Sequence, residues 1–165
     1  MPLSIATVFG RRAMNRVTAA DYVEWATGML TDGRDSPNLR MLAGLDERGS
    51  VFEAEEHFTR ALRELQIPEP DETGKLRAYA CDLARQILDG TLATEAGVKA
   101  LYQVCLVTGY ARPFMVWLYL DDALDSIRAG DYPYTYETAT AANYDDIVKT
   151  EAQRFIEQMT HETAT

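Results

Sequence analysis

The feature that most constrains this chain is a repeated punctuation. A residue that starts helices precedes an apolar stripe, and a glycine follows where the stripe ends. Thr18 opens a stripe that stops before Gly33, and Ser50 opens another. Asp71 opens a third that stops at Gly90, Thr94 a fourth that stops at Gly109, and a fifth runs from Pro113 to Gly130. Ser, Thr and Asp at these starts offer a side-chain oxygen to an orphan N–H of the first helical turn. Glycine at the ends adopts the left-handed conformation that closes a helix. The pattern predicts an all-α chain, a single compact bundle of six or seven helices arranged as helical hairpins.

The stripes place the elements. Thr18 caps a helix through about Leu30 with Tyr22, Ala26, Met29 and Leu30 on one face and Trp25 beside them. Ser36-Pro37 reads as N-cap and first helical residue of a short helix to Leu45, with Leu39, Leu42 and Ala43 inward. Ser50 and Glu53 form a capping box ahead of Phe58, Leu62 and Leu65. Pro68-Glu69-Pro70 is a stiff linker. From Glu72 to Leu88 the apolar positions Leu76, Tyr79, Ala80, Leu83, Ala84 and Ile87 keep helical spacing without a miss. Val98, Leu101, Val104 and Cys105 form the next stripe. Phe114–Leu120 is apolar all round, which places it in the middle of a bundle. The last helix runs from about Asp145 to Met159, with Val148, Ala152, Phe155 and Met159 inward. In total the reading makes the chain roughly 60% helical, about twice the usual share.

Three stretches fall outside the stripes. Residues 1–17 are expected to form an N-terminal arm, because Leu3–Phe9 is short, β-prone and without a partner strand. Residues 131–143 read as an ordered loop, and 161–165 as a frayed tail. The helical domain is expected over 18–160. A faint echo between Trp25–Gly33 and Leu83–Gly90 reflects shared hairpin grammar rather than a repeat.

Charge bears on function. The net charge is −10, which disfavours nucleic acid and favours a cationic partner. From Asp121 onward ten Asp and Glu face only Arg128, Lys149 and Arg154. Arg11, Arg12 and Arg16 give the first twenty residues a local positive charge, read as a loosely held arm rather than an import presequence. The apolar residues precede these arginines, the reverse of a secretory signal, and no apolar run approaches the ~20 residues of a spanning helix. Cys81 and Cys105 lie on or beside apolar stripes, as reduced thiols in a cytoplasm do. The expected compartment is the cytoplasm.

No complete reaction centre is visible, and no cofactor is expected. Asp121-Asp122-x-x-Asp125 is the strongest motif by letter, since carboxylates one turn apart can hold Mg²⁺ and through it a diphosphate. There is no second acidic cluster of matching spacing, so a solvated acidic helix face is the preferred reading, with a Mg²⁺-dependent enzyme or ligand binder as the alternative. Glu53, Glu55, Glu56 and His57 form a second cluster, but Ala54 breaks the Glu-x-x-His spacing of helical di-metal sites. Cys81 has Arg77 and Arg85 one turn away on either side but no evident base, and reads as structural.

The most suggestive surface is Tyr132, Tyr134 and Tyr136 with Tyr144 nearby, bordered by Asp121, Asp122, Asp125, Asp131, Asp145 and Asp146. Tyrosines supply rigid contact area at interfaces, and an acidic rim steers a basic partner. These ten residues are the expected partner-binding set of a non-catalytic protein–protein interaction module. The analogy is to immunity proteins and inhibitors that mask basic enzyme surfaces, and it rests on size and charge alone.

Overall fold

A computed structural model describes residues 2–163. Among them there is no strand, and helix covers 69% of the chain. The α-helices are α1 (Ile5–Ala13), α2 (Ala19–Thr31), α3 (Pro37–Ala43), α4 (Val51–Glu64), α5 (Glu72–Asp89), α6 (Thr94–Val107), α7 (Met115–Ala129) and α8 (Tyr144–Thr163), and a short 3-10 turn at Arg112–Phe114 precedes α7. The chain divides into two compact units, Met1–Tyr79 and Ala80–Thr165. The single domain expected over 18–160 follows from chain length, and no change of composition marks residues 79–80. The boundary lies inside α5, which runs through it unbroken.

In the first unit α2 packs on α3 and α4, and α3 on α4. Phe58 of α4 is the hub, with its ring 4.9 Å from Tyr22, 4.9 Å from Trp25 and 6.0 Å from Phe9. Thr18 caps α2 through a reciprocal box in which its hydroxyl accepts the Asp21 N–H and the Asp21 carboxylate accepts the Thr18 N–H.

The expected extended arm is instead mostly helix. The Ser4 hydroxyl accepts the Thr7 N–H at 3.1 Å and starts α1. Ile5, Val8 and Phe9 recur at helical spacing, and Val8 and Phe9 are buried. Burial of that stripe overrides the β preference of its residues. Gly10 permits close packing here, since a Cβ at that position would lie 2.1 Å from the Tyr79 ring. The basic residues are not loosely held. Arg11 pairs with Asp21, and Arg12 reaches Glu55 at 2.7 Å and Glu69 at 2.8 Å.

In the second unit the stripes of α5, α6 and α8 are buried as the spacing predicts, Ile87, Val98, Leu101, Val104, Cys105, Val148 and Ala152 completely. Trp117 stands edge-on to Phe155 with ring centres 5.5 Å apart. Phe114–Leu120 is less enclosed than its composition predicts. Trp117 and Leu120 are buried, while Tyr119 is 41% exposed, because α6 and α8 do not cover every side of α7. The tail differs as well. No glycine or proline stops α8 after Met159, and the helix continues to Thr163. Residues 164–165 lie outside the described residues.

Candidate functional site

Asp122 and Asp125 lie exposed on the C-terminal half of α7, and Asp121 is half-buried. Gly130, at φ 76°, closes the helix and releases the chain into the loop. That loop is pinned. The Tyr136 N–H donates to the Pro133 carbonyl at 3.0 Å, and the Thr135 hydroxyl donates to the Tyr119 carbonyl at 3.0 Å. The Asn143 side chain accepts the Thr140 N–H at 2.7 Å and donates to the Thr138 carbonyl at 2.9 Å. Pro133 and Ala139 are buried beneath it. An anchored loop presents its outward side chains without a large ordering cost on binding.

Of the four tyrosines in the expected set, two face solvent. Tyr132 is 52% and Tyr134 80% exposed, and their rings form an edge-on pair 4.8 Å apart. Tyr136 is half-buried and donates to Glu151 at 2.9 Å. Burial, and then the Glu151 carboxylate, pushes its phenol up to about 12. Tyr144 is buried and donates to the Leu120 carbonyl at 2.7 Å. Burial, reinforced by Asp121 and Glu95, holds its phenol above the ordinary range. Tyr144 therefore anchors α8 and is withdrawn from any partner. An isolated Tyr in sequence does not tell these two uses apart.

The acidic border is largely unneutralised. Among the described residues Asp122, Asp125, Asp131, Asp145 and Asp146 make no ion pair. All five are exposed. Asp145 accepts a hydrogen bond from the Thr94 hydroxyl. Two nearby cations are turned elsewhere: Arg128 makes paired contacts to Glu95 at 2.8 and 2.5 Å, and Arg154 reaches Glu151 at 2.7 Å. The second unit carries six Lys and Arg against thirteen Asp and Glu.

Asp121 differs from its neighbours. Its Oδ1 is buried without a hydrogen-bond partner, as is the Trp117 Nε1 one turn earlier. Burial, then repulsion from Asp125, pushes its carboxyl above the ordinary range, while Lys99 works against the shift. No three His, Cys, Asp or Glu side chains among the described residues gather in a group able to hold a metal ion. Asp121, Asp122 and Asp125 are thus not drawn together as ligands. In the other acidic cluster Glu55 pairs with Arg12, Glu56 with Arg60, and His57 Nδ1 meets Asn38 Oδ1 at 2.9 Å. Cys81 and Cys105 are both buried, and burial pushes the Cys105 thiol up, away from thiolate chemistry.

A second constellation, in the first unit, escapes sequence reading. Lys75 lies buried on α5 beside Leu76. Its Nζ is 2.7 Å from both Glu69 and Glu72, and Glu69 is shared with Arg12. Arg12 also lies 5.5 Å over the Phe58 ring. Burial pushes Glu69 up, but Lys75 and Arg12 outweigh it and hold the carboxyl below its usual range. The partners come from α1, α4, the Pro68–Pro70 linker and α5, so no local motif announces them. The one sequence signal is a lysine next to a flawless apolar stripe.

The chain matches no protein-family model, and neither a curated protein nor a solved structure is similar to it.

Proposed function

We propose that this chain is a non-catalytic interaction module that docks a basic protein through the acidic stretch from Asp122 to Asp146, in the manner of immunity or inhibitor proteins. The observation that supports the reading is the combination of an exposed Tyr132–Tyr134 pair with exposed carboxylates that make no ion pair among the described residues. Unpaired surface charge steers encounter and sets partner choice, while aromatic rings on an anchored loop supply contact energy. The set is narrower than sequence suggests: Asp122, Asp125, Asp131, Tyr132, Tyr134, Asp145 and Asp146 remain, Tyr136 supports the loop, and Tyr144 drops out as a core residue.

The test separates specific docking from general charge attraction. Immobilised chain is exposed at low salt to extract of its own host, beside an Asp122→Asn/Asp125→Asn variant and a Tyr132→Ala/Tyr134→Ala variant. A basic protein retained by the parent and lost from both variants is the expected result. Retention that ignores the tyrosines, or that survives raised salt and the Asn substitutions together, refutes the reading.

A further inference from the structure

A cleft of about 480 Å³ runs along α2 in the first unit. That volume lies within the roughly 300–1,000 Å³ typical of small-molecule sites. One stripe of α2 lines it, Ala20, Glu24, Thr27 and Thr31, at spacings of four, three and four residues. Pro2 comes from the segment ahead of α1, and Glu47 from the turn between α3 and α4. Gly28 shapes the cleft, since a Cβ there would lie 2.3 Å from the Pro2 ring.

Two observations set this cleft apart. First, its polar side chains can only accept hydrogen bonds. Glu24, Asp32 and Glu47 are exposed, and among the described residues none of them makes an ion pair. An ionised carboxylate offers acceptors alone. The Thr27 hydroxyl spends its proton on the Val23 carbonyl at 2.8 Å, and the Thr31 hydroxyl on the Thr27 carbonyl at 2.9 Å. Among the described residues no Lys or Arg lines the cleft. Second, α2 ends here with the wrong charge. The last turn of a helix is a negative pole that favours a cation. α2 has no basic residue in that turn and carries Asp32 as its C-cap. Carboxylates and helix pole together call for positive charge that the cleft itself does not supply.

We propose that this cleft binds a free aliphatic polyamine of the spermidine type. No three His, Cys, Asp or Glu side chains among the described residues gather in a group able to hold a metal ion, so a point cation finds no ready ligand set. A polyamine carries several ammonium groups joined by methylene runs, with donors at each nitrogen and no acceptor. Its ammonium groups engage Glu24, Asp32 and Glu47, and its methylenes lie against Pro2, Ala20 and Gly28. The cleft belongs to a different unit from the docking surface, and the proposal stands independently of that reading.

The full chain is titrated calorimetrically at fixed ionic strength with putrescine, spermidine and spermine. Butylammonium, Mg²⁺ and a capped tetralysine peptide are titrated beside them. At least one polyamine gives a saturable heat and raises the melting temperature, while butylammonium and Mg²⁺ do neither at the same concentration. Glu24→Gln and Glu47→Gln change exposed side chains, and each weakens binding about threefold, or about tenfold together. Glu157→Gln, on α8, removes the same charge elsewhere and leaves the affinity unchanged. Silence for every polyamine overturns the proposal. So does equal weakening by Glu157→Gln, which would reduce binding to general attraction by an acidic chain. Tighter binding of tetralysine than of spermine would assign the cleft to a protein tail and overturn it as well.

Discussion

Replacing Asp121 by Asn should stabilise the protein near neutral pH, against the usual direction of a substitution on a partly buried residue. Asp121 Oδ1 is buried without a hydrogen-bond donor. Burial, Asp125 and Asp122 all raise its carboxyl, and Lys99 only partly opposes them. Glu95 raises it further, and the phenols of Tyr102 and Tyr144 feel its charge in turn. The folded state thus holds the Asp121 proton more tightly than the unfolded chain does. Its favourable contribution is complete below the ordinary carboxylate range and is lost as pH rises through the raised folded value. At neutral pH the ionised group stands as a penalty. A buried polar group left unmatched costs about 1–3 kcal/mol, and the partial exposure of Asp121 argues for the lower end. Asn keeps the shape and removes the charge, so the expected gain is about 1 kcal/mol, or ~2–4 °C in melting temperature for a chain of this size. Urea unfolding followed by circular dichroism at neutral pH, and again at a pH below the carboxylate range, measures it. The gain should vanish in acid, where Asp121 is already protonated. A loss at neutral pH, or a gain of equal size in acid, refutes the electrostatic reasoning.

Three further outcomes follow from contacts already described. Gly10→Ala drives a Cβ to 2.1 Å from the Tyr79 ring and should cost about 1–3 kcal/mol in urea unfolding, the usual range for overpacking; a neutral result would show that α1 does not depend on that close approach. Tyr144→Phe removes the hydroxyl that donates to the Leu120 carbonyl at 2.7 Å and should cost about 1 kcal/mol, whereas Tyr134→Phe, on a ring 80% exposed, should leave thermal unfolding unchanged. Glu151→Gln removes the carboxylate beside Tyr136, and ultraviolet titration should find that phenol falling from about 12, since a neighbouring negative charge disfavours phenolate; no fall would assign the whole shift to burial.

The parts of the fold legible in sequence are those that local chemistry determines. The left-handed exits at Gly33, Gly90, Gly109 and Gly130 are all present. The α5 stripe is buried at every expected position, because a period of three and four residues over five turns admits one burial pattern. Where long-range packing competes with local preference, the reading fails. Leu3–Phe9 has strand-forming residues, yet a stripe as short as Ile5, Val8 and Phe9 becomes helical once a core exists to receive it. The same limit governs the sites. Asp122, Asp125, Asp131 and the Tyr132–Tyr134 pair are exposed as charge and turn chemistry suggest. Tyr144 looks identical in sequence and is buried, because its hydroxyl finds a carbonyl 24 residues away. Arg12, Glu55, Glu69 and Lys75 meet only after four separate segments fold together. Asp121 carries the same letter as Asp122, and only the packed helix faces separate the orphaned carboxylate from the solvated one.

Under the proposed function, a basic partner sits on the outward face from Asp122 to Asp146. Hydrogen exchange of the chain, alone and saturated with the protein captured from its host, tests it most directly. New protection is expected in residues 122–136 and the first turn of α8, diminishing as salt is raised. Protection centred on α1–α4 with residues 122–146 unaltered would contradict it.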